Sequence, residues 1–180
     1  MFHDIDEILR RYQQGERDFP NADICDSELE GVDLSGINLS GAEFSDSDLT
    51  RINLSGANLY DVNISQSAVR EADLSGANLS KAFLSQVAFD ESNLSNADLR
   101  GANLKFANFK SADLTNANLS GANITGANFF NANLTNANFT GAISEEEYED
   151  VMEVFSIYTP PIFHNTIMPD GSIRTYVPRK

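Results

Sequence analysis

Ser35, Ser55, Ser75 and Ser95 are hydroxyl nucleophiles by type, and they recur at one place in a repeating pattern. Acyl transfer needs a base beside such a hydroxyl and a third group to orient that base. The two histidines, His3 and His164, lie near opposite ends of the chain, and no motif pairs either with a nucleophile. Turn chemistry accounts for the serines better than catalysis does. The single cysteine, Cys25, has no partner for an internal disulfide and no basic sequence neighbour to lower its pKa. Together these residues lack the spacing of a metal-ligand cluster, so neither a metal nor any other cofactor is expected. The remaining chemistry-bearing residues are acids. Asp23, Asp26, Glu28, Glu30, Asp33, Glu43, Asp46 and Asp48 fall between Asn21 and Thr50 with no base among them.

The elements that must position these groups are set by a five-residue period. The stretch "ANLSGANITGANFFNANLTNANFTGA", residues 117–142, has Ala at every fifth place. Five steps on an α-helix turn an apolar position through about 140°, which smears it around the axis. A straight strand fails too, because an odd period sends the apolar residue to alternate faces. A chain that extends briefly, turns and repeats satisfies the pattern, and that is a solenoid.

Every fifth residue from Phe19 to Phe139 is Phe, Leu, Ile or Val without a slip. The residue two places before each large one is Ala, Ser, Val or Ile from Ala22 onward, and the same phase continues to Ala142. Residues two apart on an extended segment point the same way, so both positions face inward. The residue between them is Asp, Glu or Asn except at Ala68, Phe83 and Ala88, and the two following positions favour turn formers. Those three positions face out.

This pattern resembles the pentapeptide repeat family, whose A(D/N)LXX unit is written here as "ADLSG" at 72–76, "ANLYD" at 57–61 and "ADLTN" at 112–116. The resemblance implies an all-β solenoid, a right-handed quadrilateral β-helix with four pentapeptides per coil and about six coils. At the implied spacing of twenty, Leu34 to Leu134 form one leucine column, and Phe89, Phe109 and Phe129 stack in another. The same spacing pairs Arg51 with Glu71, Asp61 with Lys81, Arg70 with Asp90 and Asp90 with Lys110.

Three segments follow. Residues 1–17 form an N-terminal capping segment, with Ile5, Ile8, Leu9 and Tyr12 on one face of a helix over 4–14 that Gly15 stops. Residues 18–142 form the β-helix. Residues 143–180 hold a C-terminal capping helix, starting at a Ser144/Glu147 capping box and carrying Tyr148, Val151, Met152 and Phe155, then a tail. In that tail "TIMPDGSIRT" reads as two extended pieces around Pro169, Asp170 and Gly171, and it is similar to tails of cyanobacterial members of the family.

A net charge of −15 disfavours direct binding to nucleic acid or anionic membrane. No run approaches a membrane span, and charges stand where a signal peptide needs an apolar stretch, so a cytoplasmic location is expected. The expected role is non-enzymatic: protein binding or scaffolding with an unidentified protein partner, as a monomer or as a dimer joined end to end through the caps. The resemblance adds an alternative, since some family members mimic duplex DNA and bind type II topoisomerases such as gyrase. From Asn103 to Asn138, however, the motif position is Asn except at Asp113, so negative charge does not run the length of the rod. Phe83 and Phe106, with Arg70, Lys81, Arg100 and Lys105, are the candidate protein-binding residues, because aromatic and Arg side chains dominate interfaces.

Overall fold

The structure is a computed structural model in which residues 5–144 and 161–176 are described. The five-residue pattern becomes four-sided coils. Parallel bridges join each outward position to the one twenty residues later, from Asp18 with Asn38 through to Asn123 with Ile143, and four successive units complete one coil. Each bridge is built from two backbone bonds: Leu54 N donates to Asp73 O at 2.7 Å, and Asp73 N donates to Ile52 O at 2.9 Å. In chain order the first side begins at Asp18, the second at Asp23, the third at Glu28 and the fourth at Asp33.

The corners have one geometry. Every fifth residue from Asn21 to Gly141 has φ near +60°, and Ala57 N closes the turn before it on Leu54 O at 3.0 Å. Positive φ at the third place of a four-residue turn is the type II signature, which explains the Gly and Asn there. Arg51, Lys81 and Phe106 hold the same conformation, which is uncommon for long or bulky side chains.

Inside, Leu34, Leu54, Leu74, Leu94, Leu114 and Leu134 are buried in one column. Phe89, Phe109 and Phe129 stack in another, with successive centroids 5.0 Å apart and rings within 9° of parallel. Serines at the small inward position stay bonded. Ser67 Oγ donates to Phe44 O at 2.9 Å and accepts from Ser47 N at 3.1 Å, replacing the usual turn bond with a link between coils. Outside, Asn side chains form ladders: Asn58 Nδ2 donates to Asn38 Oδ1 at 2.9 Å, and Asn78 Nδ2 to Asn58 Oδ1 at 3.1 Å. Their oxygens also accept from the backbone two residues on, as Asn53 does from Ser55 N at 3.0 Å.

Helix α1, Ile5–Gln13, is slightly shorter than the helix read from sequence. Ile8 joins the core cluster, and Ile5, Leu9 and Tyr12 pack against it. Glu16 N bonds Arg11 O and Gly15 N bonds Tyr12 O, with Gly15 at φ 96, so a Schellman motif ends the helix. The C-terminal capping helix read from sequence lies outside the described residues. On the last coil the two extended pieces read from the tail pair as a hairpin, β1 Phe163–Ile167 antiparallel to β2 Ile173–Tyr176.

The tail also resumes the coil, beyond the expected boundary at 142. Ile162 bridges Asn133 and Ile167 bridges Asn138, an offset of 29 instead of 20. Phe163 and Met168 are buried where Leu134 and Phe139 are buried below them. Asn165 takes the corner's positive φ, and Thr166 Oγ1 donates to Leu134 O as the inward serines do to their coils.

A candidate interaction face

Among the described residues, the hydroxyls and the thiol singled out from sequence lie on turns, and His3 falls outside those residues. The amides of Ser35, Ser55, Ser75 and Ser95 donate to the Asp or Asn two residues earlier at 2.9 to 3.1 Å, which makes these serines parts of Asx turns. Cys25 is exposed, with Sγ 3.3 Å from Ser45 Oγ. Among the described residues no group of His, Cys, Asp and Glu could hold a metal ion, and no helix is long and apolar enough to cross a membrane. An open groove beside α1 is lined by Leu9, Tyr12, Gln13, Arg17, Val32 and Asp33. Arg17 is already committed there, 3.8 Å over the Tyr12 ring and donating to Tyr12 O at 2.9 Å.

The second side gathers five of the six residues singled out in the sequence. Phe83 stands at its centre, between Asn63 and Asn103, and is 49% exposed. Lys81 and Arg100 occupy the corner it shares with the first side, and Lys105 and Phe106 the corner it shares with the third. Arg70 does not join them. It lies on the corner between the third and fourth sides, 3.8 Å from Asp90, with the third side's Ala68 and Ala88 between it and Phe106.

Sequence reasoning missed Tyr60. It lies on the Lys81 corner, 38% exposed, with the Lys81 ammonium 5.6 Å from its ring centroid. Tyr60, Phe83 and Phe106 are 23 residues apart in turn, so each step rises one coil and advances three residues. With ~4.8 Å between coils and ~3.3 Å per residue, the rings follow a diagonal at ~11 Å intervals. That spacing was present in the sequence and became meaningful once the coil length was known.

Charge divides this side in two. Asp23, Asp26, Glu43, Asp46 and Asp61 occupy its first coils, whereas Lys81, Arg100 and Lys105 occupy the next two. Arg100 forks onto Asp98 with nitrogen to oxygen distances of 2.7 and 2.8 Å, and this hydrogen bonding holds the Asp98 carboxyl below its ordinary pKa. On the third side Asp48 is also held low, chiefly by hydrogen bonds from Thr50 and less by Arg70 and Arg51. The expected pairing of Arg51 with Glu71 gives way to one with Glu30 in the neighbouring coil.

The profile of the Pentapeptide repeats family matches residues 27–66, 37–76, 70–105 and 107–143, more than half of the chain. The chain is a pentapeptide repeat protein. The family's fold, the right-handed quadrilateral β-helix, accounts for the twenty-residue bridges. No curated protein matches significantly. Among solved structures this pentapeptide repeat protein is similar to QnrB1, a plasmid-mediated fluoroquinolone resistance protein, at 21% identity over 70% of this chain and 67% of that one, with a TM-score of 0.48. It is similar to HetL, involved in heterocyst differentiation regulation in the cyanobacterium Nostoc, at 23% identity over 97% and 100%, with a TM-score of 0.34. A pentapeptide repeat protein of the Arabidopsis thaliana thylakoid lumen is 34% identical over 60% and 68%, with a TM-score of 0.21.

Proposed function

We propose that this pentapeptide repeat protein is a non-enzymatic protein-binding or scaffold protein, working in the cytoplasm, and that its second side is the surface it presents. The observation carrying this reading is the diagonal of exposed rings at Tyr60, Phe83 and Phe106. Elsewhere the outward positions of the sides are mostly Asp and Asn, whose side chains bond the turn of their own coil or the coil beside it. Phe106 adds a second argument. A bulky residue at φ 58 on an exposed corner gives up backbone stability that Gly or Asn would keep, and such strain collects at functional positions.

A duplex mimic acting on a type II topoisomerase is the competing reading. Its support is the stacking of acid on acid, Asp23 with Glu43 and Glu28 with Asp48, in the first coils. Against it, Lys81 and Lys105 interrupt the negative side within a few coils.

The test is affinity capture from the native cell with wild-type protein and with the Phe83→Ser, Phe106→Gly double variant. A partner held by the first and lost by the second supports the reading, and equal capture by both sinks it. Inhibition of gyrase supercoiling by wild-type protein would favour the competing reading.

A further inference from the structure

We infer that the second side is self-complementary and pairs two copies of this chain laterally and antiparallel. This rests on the reading of that side as an interaction surface, and it names a second copy as the occupant instead of leaving the partner open.

Charge and register select this pairing. A two-fold axis lying across the second side, between the coil of Asn63 and the coil of Phe83, reverses the rod direction while keeping each corner against its own counterpart. Coils equally far from the axis then face each other. Asp61 meets the second copy's Lys81, one half-coil either side of the axis. Asp46 meets Lys105 and Phe106 of the other copy, one coil further out. These contacts occur twice, as in any isologous interface. Two acids of the early coils, Asp46 and Asp61, are thereby matched with two bases, while Asp23, Asp26 and Glu43 fall opposite the uncharged Asn123, Thr125 and Asn103, so no acid faces an acid.

The rings fit the same axis. Phe83 is about half a coil, ~2.4 Å, from it along the rod, so the two Phe83 side chains meet at the centre. Anchors at the geometric centre of an interface carry most of its binding energy. Phe106 covers the corner near Ser45 and Asp46 of the other copy, and Tyr60 approaches its Lys81.

The area sets the strength. A side of about five residues at ~3.3 Å by six coils at ~4.8 Å offers roughly 475 Å² per copy, or about 950 Å² in total. Stable complexes bury about 1,200 Å² or more, so the pairing is a weak, concentration-dependent dimer that salt loosens. Lateral pairing also leaves both ends of the rod uninvolved, in contrast to a dimer joined end to end.

Sedimentation equilibrium of the full chain up to about 1 mM, at low and high salt, is the experiment. The expected result is a monomer–dimer equilibrium weakened at least ~10-fold by Lys105→Glu or by Asp46→Lys, and restored when both substitutions are made in the same chain. In a Cys25→Ser background, Phe83→Cys should form an inter-chain disulfide under oxidation. Circular dichroism of each variant confirms that the fold is kept. A monomer at every concentration overturns the inference, as does a dimer indifferent to both reversals. Either result leaves the protein-binding reading intact if the Phe83→Ser, Phe106→Gly variant still loses a captured partner.

Discussion

The ring of Phe106 lies over Gly126, one coil further on, so closely that a Cβ on Gly126 would stand 2.4 Å from ring carbon Cδ1. Gly126 also has φ 64, a conformation that penalises any side chain. The two corners are therefore coupled, one strained by bulk and the other kept bare to receive it.

Gly126→Ala is expected to destabilise the protein by about 1–2 kcal/mol through the left-handed backbone, plus the cost of displacing the ring. Phe106→Gly removes one strained side chain and leaves room at Gly126, so Gly126→Ala should cost less in that background. Urea denaturation of the four proteins measures the coupling, expected at about 1 kcal/mol. Additive effects would mean that the ring moves away at no cost.

Inward and outward positions should differ sharply. Leu74 is fully buried in the leucine column, and its truncation to Ala should cost about 2–5 kcal/mol. Phe83→Ser, half-exposed on the second side, should stay within about 0.5 kcal/mol of wild type. Thermal melts compare the two directly. A large loss for Phe83→Ser would make that ring a part of the fold, and would remove the reason for reading it as an anchor.

The acid limb of stability should depend in part on Asp98. Its folded pKa is depressed, first by the hydrogen bond from Arg100, opposed by partial desolvation. A depressed carboxyl contributes stability above its unfolded pKa, near 3.9, and loses it as pH falls through the folded value. Urea midpoints between pH 6 and pH 2 should therefore fall less steeply in Asp98→Asn than in wild type, with the difference appearing below about pH 4. Arg100→Gln should flatten the limb in the same way. A limb unchanged by both would mean that solvent screens the pair completely.

How much was legible in the sequence depended on whether a feature was local. The inward pair, the outward Asp or Asn and the turn residues all follow from a five-residue unit, because facing direction and turn chemistry are decided within it. Phe83 was visible because it breaks the motif at an outward position. Tyr60 was not, because a turn position tolerates many side chains, and its importance comes from lying one coil below Lys81 and Phe83.

The chain by itself therefore determined that this is a repeating coil, which residues fill its interior and which face water. The family resemblance already implied the twenty-residue columns, and only the tertiary structure decided which turn residues share a corner and a side. The twenty-residue closure separates Arg70 from Phe83 and aligns Tyr60, Phe83 and Phe106, since the corner angles, repeated four times, set the circumference. It also decided that Pro161 to Met168 rejoin the coil. Their offset of 29 breaks the sequence phase, and only backbone bonding to Asn133 and Asn138 shows that a shifted segment fills the same positions. Unpaired edge groups accept any strand of suitable register, and no short-range pattern records that choice.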